Sequence, residues 1–198
     1  MIDVKEVLEL HRLMVGLWHD APISQPYSDF LGLVCQQHSF NFMLWHEEDI
    51  ARSPDASDSQ IAAVKRAIDG YNQQRNDAIE KLDECLAAQL HTQGVVPVAG
   101  ARLNTETPGS AIDRLSISAL RIYHMEEQAA RTSASLGHRA KARSRLEVLF
   151  RQQHDLAQSL AELIDDLVAG RKRLEIYRQF KMYNDPTLNP HLYGGKPG

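Results

Sequence analysis

The residues between positions 65 and 83 carry a line of polar side chains that could bind a ligand. In a helix, the segment KRAIDGYNQQRNDAIEKLD repeats polar residues in steps of four, three, four, four and three, so they share one side. These residues are Lys65, Asp69, Asn72, Asn76, Glu80 and Asp83. The two asparagines have low helix propensity, so a plain solvent-facing helix gains nothing from them. The pattern leaves three interpretations open: a solvated face, a buried network that fixes helix register, or a ligand or metal site.

Arg75 interrupts the apolar stripe that runs beside this polar line. The stripe consists of Val64, Ile68, Tyr71, Ile79, Leu82 and Leu86. A buried guanidinium needs a carboxylate partner, because an unpaired charge is costly to bury. The sequence therefore predicts an acidic partner for Arg75 if this side chain lies in the core.

Acidic residues in two segments could together bind a divalent cation. The segment NFMLWHEEDIAR contributes Glu48 and Asp49, and the segment IEKLD contributes Glu80 and Asp83. Carboxylate oxygens are the ligands that Mg²⁺ prefers, so these four residues are the candidate metal ligands. The same carboxylates could instead neutralise the arginine and lysine of the polar segment. His46, taken alone, indicates a surface or capped histidine rather than a ligand.

The segment TETPGSAID has the features of a helix start. Thr107 can act as the N-cap, with a proline at the first helical position. The backbone N–H groups that follow could bind a phosphate, and an ordinary helix start is the alternative. Asp113 and His124 share one face of this helix, and Arg114 lies alongside. No helix carries the ExxH pairs of carboxylate-bridged di-iron bundles.

Helices must position these residues, because nearly every periodic segment of the chain has a spacing of 3.6. The predicted helices span about residues 3–20, 28–52, 57–91, 107–131 and 140–168, the last with a possible continuation to 180. Long helices joined by short turns predict an all-α, up-down bundle of about five helices, in a single domain over residues 1–198.

Residues 184–198 are rich in Pro, Asn and Gly and are expected to form an extended tail. We expect the segment RQFKMYNDPTLNPHLY, residues 178–193, to lie over the bundle as a strap, with Asx turns at Asn184, Asp185 and Asn189. A strap in this place could close a pocket, and Lys181 and Asn184 would then contact a ligand. It could equally cover an edge of the core.

Composition limits the classes of partner. The chain has 198 residues and a formal net charge of −4, with its cations dispersed, so nucleic acid is not expected as a partner. The N-terminal segment lacks the apolar run of a signal peptide or a membrane span, which indicates a cytoplasmic protein. Cys35 and Cys85 lie in apolar helical patterns and are expected to be reduced. A homo-oligomer is compatible with the sequence.

Four segments resemble a bacterial all-helical family described as a domain of unknown function. They are LWHEEDIAR, KRAIDGYNQQRNDAIEKLD, LNTETPGSAIDRLSISALRIYHM and YRQFKMYNDPTLNPHLY, and the resemblance extends from about residue 38 to residue 193. Members of that family are often encoded near glycosyltransferases for lipopolysaccharide and other surface polysaccharides. The resemblance implies an accessory or anionic-ligand-binding protein for this synthesis. Its partner would be a glycosyltransferase, a nucleotide sugar or a sugar phosphate.

The candidate ligand-binding residues lie in these segments and combine cations for phosphate groups with amides, hydroxyls and rings. They are Trp45, Arg52, Lys65, Asp69, Asn72, Arg75, Asn76, Thr107, Asp113, Arg114, His124, Lys181 and Asn184.

A more limited resemblance connects the acidic residues with all-helical nucleotide pyrophosphohydrolases, which hold magnesium with a glutamate pair and an ExxD motif. Glu47 and Glu48 match the pair, and Glu80 and Asp83 match the motif, whereas Ala51 occupies the third acidic position. This resemblance implies an alternative function, a Mg-dependent hydrolase of a nucleotide or nucleotide-sugar phosphoanhydride. A purely structural helical interaction protein is the third hypothesis.

Overall fold

The computed structural model describes residues 2–180 and 185–190, and helices account for most of this part of the chain. They are α1 (Val4–Asp20), α2 (Asp29–Ala51), α3 (Asp58–Thr92), α4 (Pro108–Ala130) and α5 (Leu136–Val168). Two short strands, β1 (Arg102–Leu103) and β2 (Lys172–Arg173), pair in parallel. The all-α bundle expected from the sequence is confirmed.

Capping residues determine where several helices begin and end. Ser57 and Gln60 form a reciprocal capping box at the start of α3, and Thr107 caps α4 as expected. Ser135 accepts a hydrogen bond from the backbone N–H three residues later, so α5 begins at residue 136 rather than at 140. The helix ends before Gly170, whose φ of +69° is left-handed, and it does not continue to residue 180.

The first two helices run in the same direction. The ring of His11 contacts that of His38, with centroids 4.6 Å apart, and eight residues later in each helix His19 contacts His46 at 5.1 Å. Residues 21–28 make this arrangement possible. Eight extended residues cover about 26 Å, which matches the length of about 25 Å for a helix of 17 residues. The chain therefore runs back to the end of the bundle at which α1 begins, and α2 starts there.

From α2 onwards the helices alternate in direction. Short connections, residues 52–57 and 131–135, join α2 to α3 and α4 to α5, which is typical of antiparallel neighbours. Between α3 and α4, Arg75 contacts Asp113, whereas the later residue Asp83 contacts the earlier Gly109. Because later residues of α3 contact earlier residues of α4, these two helices are antiparallel. The helices α1, α2 and α4 therefore all point the same way, and α3 and α5 point the opposite way.

A single main core joins all five helices. Each helix contributes at least one side chain to it that is almost completely buried: Leu10, Val34, Leu82, Ile112 and Leu160. Burying one such side chain stabilises the fold by about 1.5–3 kcal/mol before entropy is counted. Within the described residues, no helix is long and apolar enough to cross a membrane.

The segment after α5 lies against α3, as a strap does. The carboxylate of Glu80 accepts hydrogen bonds from the guanidinium of Arg178 at 3.0 Å and from the backbone N–H of Gln179 at 2.9 Å. Further on, the Asp185 carboxylate accepts a hydrogen bond from the N–H two residues later, an Asx turn of the expected kind. Lys181 and Asn184 lie outside the described residues, as does the end of the tail.

Candidate functional site

The side chain of Asp113 is the centre of a buried polar network. The guanidinium of Arg75 donates from Nε to Asp113 Oδ1 at 2.7 Å and from Nη2 to Oδ2, so the pair is bidentate. The side chain of Asp113 is 6% exposed and that of Arg75 is 25% exposed. The hydrogen bond to Asp113 raises the pKa of Arg75, against the opposing effect of burial. Asp113 of α4 is thus the carboxylate partner that the apolar surroundings of Arg75 require.

Two amides from α2 complete the coordination of Asp113. Both Gln37 Nε2 and Asn41 Nδ2 donate to Asp113 Oδ1, the second at 2.9 Å. Asn41 Nδ2 also donates to the hydroxyl oxygen of Ser116 at 2.9 Å. The carboxylate therefore receives donors from two neighbouring helices, which is the form in which a buried charge is tolerated.

The network ends at His38, whose tautomer follows from its neighbours. His38 Nε2 lies 3.1 Å from the backbone carbonyl oxygen of His11, and a carbonyl can only accept, so Nε2 carries the proton. Nδ1 is then an acceptor, and the hydroxyl of Ser116 donates to it at 2.7 Å. Burial lowers the pKa of His38 to about 3, despite the opposing hydrogen bond to the His11 carbonyl. We call these connected side chains the Asp113 network: Gln37, His38, Asn41, Arg75, Asp113 and Ser116.

The N-terminus of α4, a possible phosphate site from the sequence, is occupied by Asp83. The N–H of Gly109 donates to Asp83 Oδ1 at 2.7 Å, and the hydroxyl of Thr107 accepts from the N–H of Ser110 at 3.1 Å. A Cβ at Gly109 would lie 2.7 Å from the carbonyl oxygen of Ile79, so only glycine permits this approach of α3 to α4. Burial raises the pKa of Asp83, although hydrogen bonds from Thr107 and Gly109 oppose the shift.

Most other charged candidates form ion pairs with a partner near the surface. These pairs are Lys65–Asp69, Glu48–Arg52, Glu106–Arg114 and Glu80–Arg178. Within the described residues, no three of the four candidate metal ligands bring carboxylate oxygens within 4.8 Å of one another. The structure therefore does not gather Glu48, Asp49, Glu80 and Asp83 into one centre.

Several of the predicted ligand-binding residues do meet in one cleft, of about 550 Å³, between α2, α3 and α4. Its lining is Asn41, Leu44, Trp45, Glu48, Asp49, Arg52, Asn72, Arg75, Ile117, Leu120 and Arg121. We call it the arginine cleft. Asn76, the other asparagine of the polar line, is half-buried on α3 outside this lining.

A second cleft, of about 390 Å³, shares Trp45, Asp49 and Arg121 with the arginine cleft and extends along α4 past His124. Within the described part of the chain, Arg121 forms no salt bridge. Sequence reasoning did not select Arg121 as a candidate. The available signal was its position seven residues, or two turns, after Arg114 on α4.

Three histidines from the parallel helices converge, and one of them, His124, lines this second cleft. His19 of α1, His46 of α2 and His124 of α4 each place a ring nitrogen within 4.8 Å of the other two. In each of them Nε2 is buried and has no hydrogen-bond partner among the described residues. Burial, with smaller effects from the neighbouring His19 and His124, lowers the pKa of His46. We call this group the histidine cluster.

His19 and His46 were missed at the sequence level because their proximity depends on helix direction. Strict alternation would place the C-terminal ends of α1 and α2 at opposite ends of the bundle. Residues 21–28 bring these two ends together, so His46 is half-buried and lies beside His19 and His124. His124 was a candidate, and the structure provides it with two neighbours.

The family to which the chain belongs can be identified over most of its length. The model of the family described as "Protein of unknown function (DUF4254)" matches residues 31–176. No curated protein and no solved structure matches the chain. The matched region includes the Asp113 network, His46 and His124, and the whole of α1, with His19, precedes it. The chain therefore belongs to the DUF4254 family of proteins of unknown function.

Proposed function

We propose that this protein binds a sugar phosphate or a nucleotide sugar in the arginine cleft, as an accessory protein of surface-polysaccharide synthesis in the bacterial cytoplasm. The observation that carries the proposal is that Arg121, a cation without an ion-pair partner in the described chain, lines the same cleft as Trp45 and Asn72. The connection to polysaccharide synthesis rests on the resemblance of four segments to a family often encoded near glycosyltransferases.

The three arginines of the cleft differ in their availability to an anion. Arg75 is committed to Asp113 through two hydrogen bonds. Arg52 pairs with Glu48, but their side chains are 70% and 43% exposed, and such surface pairs contribute little. Arg121 forms no ion pair among the described residues, so its guanidinium can bind a phosphate in bidentate fashion without first breaking such a pair.

The uncharged groups of the cleft fit the remainder of such a ligand. The side-chain amide of Asn72 has no hydrogen-bond partner within the described residues, so both its donor and its acceptor are available. Trp45 stacks one face on His124, with ring centroids 4.7 Å apart, and this contact holds the indole in place as an apolar wall for a sugar or a base. The volume of about 550 Å³ is within the usual range for small-molecule sites.

Binding without turnover agrees best with the positions of the acidic residues. Hydrolysis through Mg²⁺ would require Glu80 to leave Arg178 and Asp83 to leave the N-terminus of α4. A bound ligand could instead be delivered to a glycosyltransferase that consumes it. This transfer makes a glycosyltransferase the proposed partner.

Calorimetric titration tests the proposal. We expect the full-length protein to bind a nucleoside diphosphate sugar or a sugar phosphate more tightly than it binds the free sugar. Removing a charge-assisted hydrogen bond costs about 1.5–3 kcal/mol, so Arg121→Gln should weaken binding by at least about tenfold. Arg66→Gln is the matched control, because Arg66 is an exposed arginine of α3 outside both clefts and its loss should leave affinity unchanged.

Two results would overturn the proposal. One is the absence of binding for every phosphorylated sugar tested, and the other is equal affinity of the wild type and Arg121→Gln. Chromatography of the titrated samples should recover the ligand intact. Cleavage of the phosphoanhydride that Glu80→Gln abolishes would support the hydrolase hypothesis instead.

A further inference from the structure

We propose that the histidine cluster is a binding site for a transition-metal ion of the Zn²⁺ class, with Nε2 of His19, His46 and His124 as its three ligands. The first argument is convergence. One ring nitrogen of each residue lies within 4.8 Å of the others. Bonds of about 2.0–2.1 Å in tetrahedral geometry require the nitrogens to be about 3.3 Å apart, so each pair has to approach by no more than about 1.5 Å when the ion binds.

The second argument is that the same nitrogen is unsatisfied in all three residues. Nε2 of His19, of His46 and of His124 is buried and has no hydrogen-bond partner within the described residues. An unpaired buried polar atom costs about 1–3 kcal/mol, and a cation bound by all three nitrogens would remove this cost.

The third argument is that the opposite ring nitrogen already has a hydrogen-bond partner in two of the three residues, His19 and His124. His19 Nδ1 lies 2.6 Å from the carbonyl oxygen of Val15, and His124 Nδ1 lies 2.8 Å from Glu127 Oε2. Both partners accept hydrogen bonds, so Nδ1 carries the proton and Nε2 presents its lone pair. Metal-ligating histidines commonly have this arrangement, in which a carbonyl or carboxylate behind the ring sets its tautomer and raises its basicity.

Aromatic contacts hold two of the rings in their orientations. The His19 ring stacks on Tyr123 with centroids 4.3 Å apart and an interplanar angle of 19°. The His124 ring stacks on Trp45 at 4.7 Å and 10°. A ligand set that is oriented before the ion arrives loses less entropy on binding.

The donor set selects the class of ion. Three imidazoles suit zinc, copper, nickel and cobalt, whereas Mg²⁺ and Ca²⁺ require oxygen ligands. Three histidines leave a fourth coordination position for water or a ligand. His124 also lines the cleft that contains Arg121, so an anion held by Arg121 could occupy that position.

The test uses the full chain without a histidine tag, stripped of metal with a chelator and titrated with Zn²⁺ by calorimetry. We expect one Zn²⁺ per chain, and Co²⁺ in its place should give the visible absorption of a tetrahedral site. His46→Gln and His124→Gln, on different helices, should each weaken binding by more than about 100-fold. Glu127→Gln, which removes only the group behind His124, should weaken binding by about 10-fold.

The control is His154→Gln, since His154 is an exposed histidine of α5 outside the cluster and should bind zinc as the wild type does. No zinc binding by the wild type, or equal binding by the wild type and both cluster variants, would overturn the proposal and assign the cluster to aromatic packing. This test is independent of the proposal for the arginine cleft, because Arg121→Gln should bind zinc as the wild type does.

Discussion

The Asp113 network and the histidine cluster share two helices, α2 and α4, and they differ in how their buried polar atoms are paired. His38 and Ser116 in the network lie eight residues before His46 and His124 in the cluster, a distance of about 12 Å along each helix. Each of the two groups takes side chains from both α2 and α4. Among the described residues, hydrogen bonds connect all members of the network, although Gln37 Oε1 has no partner, whereas Nε2 of all three cluster histidines has none.

This difference separates a structural role from a binding role. A buried polar group that finds all its partners within the chain fixes how helices pack and has little capacity left for a ligand. Buried polar atoms that converge without partners need an explanation from outside the chain. Helix α3 contributes to both kinds of region: Arg75 belongs to the network, whereas Asn72 of the polar line lines the arginine cleft.

The largest effect should come from opening the network at its centre. Asp113→Ala leaves the mostly buried guanidinium of Arg75 without its carboxylate, and breaking a buried pair in this way costs about 3–5 kcal/mol. We expect urea unfolding to show a loss of this size. Asp69→Ala is the control, because Asp69 forms an exposed pair with Lys65 and should cost less than about 1 kcal/mol. Similar losses in the two variants would mean that the network contributes no more than a surface pair.

Acid should weaken the network before it protonates most carboxylates. The pKa of His38 is about 3 in the folded protein against an ordinary value of 6.5, so below pH 6.5 only the unfolded chain takes up this proton. The free energy of unfolding should therefore fall as the pH is lowered from about 6.5 towards 3. His11 and His46, whose pKa values are also lowered by burial, act with the same sign. Urea unfolding between pH 7.5 and pH 5 measures the slope, and His38→Gln should reduce it. A constant free energy of unfolding across this range would contradict the lowered pKa of His38 in the folded protein.

Local signals explain why the helices were predictable and their contacts were not. The apolar spacing and the capping residue Thr107 act within a few residues, so they can be recognised in the sequence. The need of Arg75 for a carboxylate was also visible, because it follows from its apolar neighbours. That the carboxylate is Asp113, 38 residues away in sequence, depends on how α3 and α4 pack.

The histidine cluster is the part of the site that the sequence could least predict. Its formation depends on residues 21–28 returning the chain along α1, and a connection of this length is compatible with several helix orientations. Ser135 was overlooked as a cap for a more local reason, because the segment around it combines turn-forming residues with a helix start. Long-range geometry therefore explains why the sequence did not predict the histidine cluster, and ambiguous local signals explain why it did not predict the start of α5.

Adding a methyl group where α3 and α4 are in close contact, at Gly109, should destabilise the fold. A Cβ at Gly109 would lie 2.7 Å from the carbonyl oxygen of Ile79 and 2.9 Å from Cγ of Asp83, so Gly109→Ala must separate α3 from α4. We expect a loss of about 1–3 kcal/mol in unfolding experiments. Gly70→Ala is the matched control, because nothing lies within 4 Å of a Cβ there and helix propensity should stabilise the variant by about 0.5–1 kcal/mol. The same sign for both substitutions would show that α4 can move away from α3 at no cost.

The smallest effect on stability should come from the histidine cluster in metal-free protein. His46→Gln removes a ring nitrogen that has no hydrogen bond to lose, so the free energy of unfolding should stay within about 1 kcal/mol of the wild type. Zinc should stabilise only the wild type. An ion that binds only the folded state stabilises it by about 2.7 kcal/mol when the free ion concentration is about one hundred times the dissociation constant. We expect this gain in thermal unfolding of the wild type and none in His46→Gln at the same free zinc concentration. If His46→Gln were as damaging as Asp113→Ala without metal, the cluster would be a second structural network, and its open nitrogens would have no binding role.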